Sequence, residues 1–286
     1  MSQMSKNSNK LGLKIASPYI LWSVLFIVIP LFLILFFAFT KMEGGEYIFS
    51  LDNFNELMNP LYFKVFWRSI RLAVISTILC LLIGYPAAYI ISKSKASRQH
   101  TLLMLAIIPM WMNFLLRTYA WSAILGREGI LNTFLNAIGL NSVNILYTDA
   151  AVLLGMVYNF LPFMILPIYT ILSKIDQDLI NAAKDLGANG KQVFSKVIFP
   201  LSMPGVVSGI TMVFMPAVST FIISKLLGGG QFMLIGNLIE QQFMSVGDWH
   251  FGSAISLFMM IVILITMAIL NKFSDDSEKE GGGLLL

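Results

Sequence analysis

The chain has 286 residues, of which 57% are hydrophobic and 12% are charged, and its formal net charge is +4. Soluble domains carry about 25% charged residues, so this composition indicates an integral membrane protein. The basic residues are dispersed among loops, which argues against a nucleic-acid partner. The single cysteine excludes an intramolecular disulfide, and the distant His100 and His250 give no basis for a metal site.

Six apolar runs are predicted to cross a membrane. Residues 1–15 are polar and basic without a cleavage site, so we interpret them as a cytoplasmic tail and not as a signal peptide. Spanning a bilayer takes about 20 apolar residues. The runs that satisfy this are Ala16–Thr40, Phe66–Ile91, Leu102–Leu125, Ala151–Leu172, Pro204–Leu227 and Gly252–Asn271.

The predicted fold is all-α, with one membrane domain over residues 16–272. Spanning helices tolerate proline where neighbours or a water-filled cavity satisfy the freed carbonyls, so several such breaks favour a transporter. The last residues, 273–286, are predicted to form a disordered cytoplasmic tail. The prolines inside the runs are Pro30, Pro86, Pro109, Pro162, Pro167 and Pro216.

The distribution of basic residues predicts that both termini are cytoplasmic, because cytoplasmic loops carry an excess of Lys and Arg. With this orientation 12 of the 19 Lys and Arg residues lie in cytoplasmic segments. They are Lys6, Lys10, Lys14, Lys93, Lys95, Arg98, Lys174, Lys184, Lys191, Lys196, Lys272 and Lys279.

A polar interval, 174–200, separates the fourth and fifth runs and predicts a helix, a turn and a second helix. Asp176 or Asp178 can cap the first helix, and Asn189 can cap the second. Gly187 suits the left-handed residue at a helix C-terminus, and Pro200 is expected to end the second helix. Apolar residues recur at helical spacing at Leu179, Ala182, Ala183 and Leu186, and then at Val193, Phe194, Val197 and Ile198. We predict an amphipathic cytoplasmic hairpin that fits a groove on a partner.

This hairpin resembles the EAA motif of ABC-importer permeases, in which Glu-Ala-Ala is followed by Gly, an apolar helix and Pro. Asn181 stands where that family has Glu, and it removes one ion pair without removing the docking surface. The resemblance implies a type I importer permease fold whose coupling helices, between spans 4 and 5, dock onto a cytoplasmic ATPase. The coupling residues that it implies are Asn181, Ala182, Ala183, Lys184, Asp185, Gly187, Phe194 and Pro200.

Other segments extend the resemblance to the PotB-type permeases of spermidine/putrescine importers, over about residues 15–272. They include Leu-Ile-Gly-Asn at 234–237 and Asp-Trp-His-Phe-Gly at 248–252. The resemblance implies a bacterial inner-membrane subunit, surrounded by lipid, that forms a polyamine path with a second, PotC-like permease. Two PotA-like ATPase subunits and an extracytoplasmic, PotD-like polyamine-binding protein complete the implied assembly.

Residues with cation-binding chemistry give candidates for the substrate path. Polyamines are polycations, and aromatic faces attract ammonium groups by roughly 0.5–2 kcal/mol each. Each candidate has a structural alternative, which is packing for the aromatic rings, hydrogen bonds between helices for the amides, and a solvated surface for the acids. The candidates are Trp111, Asn113, Tyr158, Asn159, Glu240 and Asp248.

The sequence contains no nucleotide site, since Gly190-Lys191 is followed by Gln192 and lacks the spacing of a phosphate-binding loop. We therefore expect no enzyme activity and no bound cofactor, with ATP and Mg²⁺ on a partner subunit. Two alternatives remain. The first is a permease of the same superfamily for an anion or a metal ion, of which Arg68, Arg71 and Arg117 would favour the anion, and the second is a non-transport membrane scaffold that carries such a hairpin.

Overall fold

The computed structural model describes residues 16–282, and it confirms a helical membrane protein. Five helices are long and apolar enough to cross a bilayer, and a bent pair makes six if it counts as one span. The helices are α1 Ala16–Ala38, α2 Asp52–Leu57, α3 Pro60–Lys93, α4 Ala96–Trp111, α5 Phe114–Leu125, α6 Ile130–Ala137, α7 Asp149–Leu172, α8 Gln177–Asp185, α9 Gly190–Ser219, α10 Ile222–Leu227, α11 Ile235–Gln241 and α12 Trp249–Gly282.

The helices differ from the predicted runs at several ends. Helix α3 begins six residues before the predicted Phe66, and α12 continues to Gly282, into the segment that the sequence analysis placed in a disordered tail. Between α1 and α2, strands β1 (Thr40–Glu43) and β2 (Glu46–Phe49) form an antiparallel hairpin that was not predicted. The predicted tail 1–15 and residues 283–286 lie outside the described residues.

The third run, predicted as the span Leu102–Leu125, is sharply bent, and its two helices make one span if the bent pair is counted together. Helices α4 and α5 meet at 92°. Met112 has ψ 148° and Asn113 has ψ 128°, which are extended conformations, and the Asn113 side chain accepts hydrogen bonds from the Leu115 and Leu116 N–H groups. A capping asparagine starts a new helix at that point, because it satisfies donors that have no partner in the first turn.

The predicted fifth span, Pro204–Leu227, is also broken. Helix α9 ends at Ser219, and Thr220 is extended, with ψ 135°. Pro200 was predicted to end a helix, and this prediction is wrong. Helix α9 continues through Pro200 after one π-helical turn at Phe194–Ile198. Proline is tolerated there because residues in the first turn after a change of register need not donate a backbone hydrogen bond, and proline has no N–H to donate.

The chain divides into two compact units, where the sequence analysis placed one domain. Unit A comprises residues 16–62 and 239–261 of the described chain, and unit B comprises 63–238 and 262–282. In unit A, Ala38, Ala254 and Leu257 form a small buried core. The amide of the buried Asn53 donates to the Ala38 and Thr40 carbonyls, which anchors α2 at the end of α1.

The β-hairpin of unit A carries a surface ion cluster. Lys41 Nζ lies 2.9 Å from Asp52 Oδ2 and 3.2 Å from Glu43 Oε2. The hydrogen bond from Lys41 lowers the pKa of the exposed Asp52 carboxyl, and a bond involving the Ser50 hydroxyl lowers it further. Lys41 is thereby held among carboxylates on one face of the hairpin.

Unit B is organised around the α7–α9 pair, whose backbones approach closely at glycine. A Cβ on Gly205 would lie 2.9 Å from the Pro167 carbonyl oxygen, and one on Gly209 would lie 2.7 Å from Met164 Sδ. Small residues allow such contact in membranes, where the packing of side chains and backbones drives helix association. The buried Tyr85 hydroxyl, 2.9 Å from Ser202 Oγ, ties α3 to the same pair.

Gly205→Leu should separate α7 from α9, because the Pro167 backbone cannot move aside as a flexible side chain can. We expect a loss of roughly 1–3 kcal/mol in the free energy of unfolding, the usual cost of overpacking. Thermal unfolding of the detergent-solubilised protein measures this loss. Ser208→Leu, on an exposed position of the same helix, is the matched control. Equal melting temperatures for the two variants would contradict the assignment of Gly205 to a close backbone contact.

Candidate functional site

The helical hairpin between α7 and α9 is built as the sequence predicted. Asp176 caps α8, with its Oδ1 accepting the Asp178 N–H at 2.9 Å. Gly187 has φ +85°, the left-handed conformation that glycine adopts most readily. Asn189 and Gln192 form a capping box at the start of α9, each side chain accepting the other residue's N–H. The hairpin is therefore held by local hydrogen bonds at both helix ends.

The apolar face of α8 is largely exposed, and this was not predicted. Ile180 is the buried residue of α8, whereas Leu186 is 90% exposed and Leu179 is 45% exposed. Ala182, one turn from each leucine, is exposed as well. Leu179, Ala182 and Leu186 share one helix face, so they form an apolar ridge without a partner among the described residues.

The other predicted coupling residues are half-buried or exposed. Phe194 is half-buried and packs edge-on against Tyr85 and Tyr89 of α3, with ring centroids 5.9 and 5.7 Å away. This contact anchors the hairpin to a long spanning helix. Ala183 is half-buried, and the remaining coupling residues are exposed: Asn181, Lys184, Asp185, Gly187 and Pro200.

The candidate path residues of unit B do not form one cluster. Trp111 is 78% exposed at the end of α4, and Asn113 caps α5. Tyr158 packs edge-on against Trp121, with centroids 5.4 Å apart. Asn159 is buried and donates to the Gly155 carbonyl at 2.8 Å. Asn113 and the Asn159 amide nitrogen thus bond within their own helices and not between helices, as the alternative interpretation had it, and the buried Asn159 Oδ1 has no hydrogen-bond partner within residues 16–282.

Two acidic candidates lie in unit A. Glu240 is half-buried in α11. Asp248 precedes α12, and its Oδ1 accepts the Phe251 N–H at 3.0 Å, which makes it the N-terminal cap of that helix. Asp248 also lines a cavity of about 470 Å³ together with aromatic side chains.

The arginines are mostly engaged. Arg68 and Arg71 both pair with Asp149, at 2.6 and 2.9 Å, and the Arg68 guanidinium also lies 3.6 Å from the Phe232 ring centroid. Arg117 is 7% exposed, and its Nε and Nη1 have no partner within residues 16–282. A buried, unpaired cation is costly in a membrane.

A polar network at the break between α9 and α10 was missed by the sequence analysis. Asn237 Oδ1 accepts from the Leu234 N–H and from the Ser224 hydroxyl, and its Nδ2 donates to the Phe221 carbonyl at 2.9 Å. A Cβ on Gly236 would lie 2.4 Å from the Ser219 carbonyl oxygen. The signal available in the sequence was the adjacent pair Gly236-Asn237. Glycine allows a close backbone approach, and the asparagine amide can both donate and accept hydrogen bonds.

Comparison with known proteins identifies the family. Residues 80–278 match the family described as binding-protein-dependent transport system inner membrane component. The spermidine/putrescine transport system permease protein PotB of Haemophilus influenzae is 41% identical over 253 residues, which is 87% of this chain and 88% of that protein. The chain belongs to this family of permeases. PotB of Escherichia coli K12 is 39% identical over 87% of the permease and 92% of its own length.

Solved structures confirm the fold of the permease. A chain of a bacterial ABC transporter that imports the acidic polysaccharide alginate matches it with a TM-score of 0.81, covering 96% of the permease and 99% of that chain. A chain of the MetNI methionine ABC transporter matches with a TM-score of 0.58 over 78% of the permease. Both are 17% identical, so the likeness concerns the fold alone. The resemblance to ABC-importer permeases of PotB type is confirmed.

Asn237→Ala should destabilise the permease, because it removes the acceptor of the Leu234 N–H and of the Ser224 hydroxyl and one donor to the Phe221 carbonyl. Three hydrogen bonds at about 1 kcal/mol each predict a loss of roughly 2–4 kcal/mol. Thermal unfolding in detergent measures this loss, with the exposed Asn141→Ala as control. A melting temperature equal to that of the control would show that the network does not support the helix break.

Proposed function

We propose that this permease imports polyamines, spermidine and putrescine among them, as one transmembrane subunit of an ATP-driven transporter. The observation that carries the proposal is the 41% identity to a spermidine/putrescine permease over 87% of the chain. The match extends over 253 residues, far more than the interval 174–200, so the identity is not confined to the coupling motif.

The proposed partners are those that the resemblance to PotB-type permeases implies. A second permease of PotC type forms the path with this chain, two ATPase subunits of PotA type supply the energy, and an extracytoplasmic PotD-type protein delivers the polyamine. ATP and Mg²⁺ bind to the ATPase subunits in this proposal, since the permease has no phosphate-binding loop. The permease itself is then not an enzyme.

The exposed ridge on α8 supports the proposal that the hairpin docks onto the ATPase. Leu186 and Leu179 expose apolar surface to water, which is unfavourable unless a partner covers it. Phe194 connects the same hairpin to α3, so a movement of the docked partner would reach a spanning helix.

We place this hairpin and both termini in the cytoplasm of a bacterium, because the interval 174–200 is rich in lysine.

The paired arginines weaken the alternative of an anion importer. Arg68 and Arg71, which would have favoured an anion, share the carboxylate of Asp149. Arg117 is buried beside Tyr158, with its Cζ 6.0 Å from the ring centroid. Arg68 and Arg71 therefore do not present an unengaged cation to a passing anion, whereas Arg117 Nε and Nη1 have no hydrogen-bond partner within residues 16–282. Asp248, which lies at the edge of an aromatic-lined cavity, has chemistry that suits a cation.

Uptake of labelled spermidine tests the proposed function. Proteoliposomes would contain the permease with the subunits encoded beside it, and uptake would be measured with and without ATP. Putrescine, sulfate and ferric ion serve as competitors. The proposal expects ATP-dependent uptake that only polyamines reduce. Competition by sulfate or ferric ion, or no spermidine uptake by an intact complex, would refute the polyamine assignment and leave the permease fold unaffected.

Ala182→Trp tests the coupling role of the hairpin. The bulky ring lies in the middle of the exposed ridge, so it should block docking and reduce ATP-driven uptake more than tenfold, the effect of about 1.4 kcal/mol or more. Gln177→Trp, on the same short helix and also exposed, is the control. Both variants should insert into membranes in normal amounts. Normal uptake by Ala182→Trp would refute the coupling role of this ridge and leave the transport assignment unaffected.

A further inference from the structure

A cavity of about 470 Å³ lies within unit A, at the start of α12. Its lining comes from three parts of that unit, namely the end of α1, the β-hairpin and the segment that leads into α12. The lining residues are Phe37, Met42, Tyr47, Gly247, Asp248, Trp249 and His250.

The aromatic rings in this lining are packed against one another. Phe37 lies 6.2 Å from Trp249 and 6.3 Å from Tyr47, measured between ring centroids. His250 lies 5.3 Å from Phe37 and 5.9 Å from Tyr47. Trp249 is 54% exposed and Tyr47 is 52% exposed, so part of each ring remains accessible. Accessible aromatic faces attract ammonium groups through the negative charge of the ring face.

The charges around the cavity favour a cation. Asp248 is the acidic residue in the lining. The nearby Lys41 pairs in register with Ile48, whereas Met42 pairs with Tyr47, so Lys41 projects from the opposite face of the β-hairpin. Nδ1 of His250 lies 3.2 Å from the Phe37 carbonyl oxygen and 3.3 Å from Thr40 Oγ1. These contacts fix the orientation of the imidazole ring.

We propose that this cavity is a binding subsite for one terminal ammonium group of a linear aliphatic polyamine, with Asp248 as the charge partner and Tyr47 and Trp249 as aromatic walls. The inference rests on the proposed function, because it assigns a place to a substrate of that class. It goes beyond that function by naming a site within unit A.

The competing explanation for Asp248 is its role as the cap of α12, and one substitution separates the two roles. Asn caps helices as well as Asp, so Asp248→Asn keeps the bond to the Phe251 N–H and removes the charge. The matched control is Glu46→Gln, which removes the same charge from the other face of the β-hairpin.

Equilibrium binding of labelled spermidine to the purified transporter complex, without the polyamine-binding protein, measures the subsite directly. Asp248→Asn should weaken binding roughly fivefold, the effect of one partly exposed ion pair. Glu46→Gln should bind like the unmodified complex, and Asp248→Glu should restore most of the affinity. Putrescine should displace the label, and 1,4-butanediol, which has hydroxyls in place of amines, should not.

Several results would overturn the proposal: no measurable binding to the unmodified complex, unchanged binding by Asp248→Asn, an equal loss in Glu46→Gln, or displacement by the diol. The melting temperature of Asp248→Asn should stay unchanged, because the helix cap is preserved. Failure of the subsite is distinguishable from failure of the proposed function. Normal ATP-driven spermidine uptake with unchanged binding by Asp248→Asn would refute the subsite alone.

Discussion

The structure depends on one constraint, which is that each backbone donor and acceptor inside a bilayer must find a partner within the protein. A spanning helix can break only where side chains replace the lost bonds. Asn113 does so at the 92° bend between α4 and α5, and Asn237 does so where α9 ends. Both breaks use asparagine, whose amide group carries a donor and an acceptor together.

The same constraint makes the helix pair in unit B a rigid base for the hairpin. Gly205 and Gly209 bring α9 against α7, and α9 contains the second helix of the hairpin. Phe194 then fixes this helix against Tyr85 and Tyr89. The hairpin therefore has short-range hydrogen bonds at its turn and tight packing at its base. A force applied at the turn would act on α3 and α9 together.

Local chemistry made much of this structure predictable. Long apolar runs predicted the spans, and Asp176, Gly187 and Asn189 predicted the ends of the hairpin helices correctly. The sequence analysis missed the break at Met112–Asn113 and the continuation of α9 through Pro200. A polar residue or a proline in an apolar run can cap a helix, kink it or lie within it, and the local sequence does not distinguish these cases. Leu186 shows a further limit, since spacing predicted an apolar face but not whether the same chain covers it. The pairing of Arg68 and Arg71 with Asp149 joins residues about 80 positions apart, beyond the reach of any local pattern.

The exposure of Leu186 affects how long the permease persists in the cell before it is assembled with its partners. A leucine that is 90% exposed on a hairpin tip resembles the surface that chaperones and quality-control proteases recognise on incomplete proteins. A copy inserted into the membrane without its docking partner would present this tip continuously, whereas an assembled copy would hide it. The abundance of the permease would then follow the supply of its partner, and the cell would match the two subunits without a separate regulator.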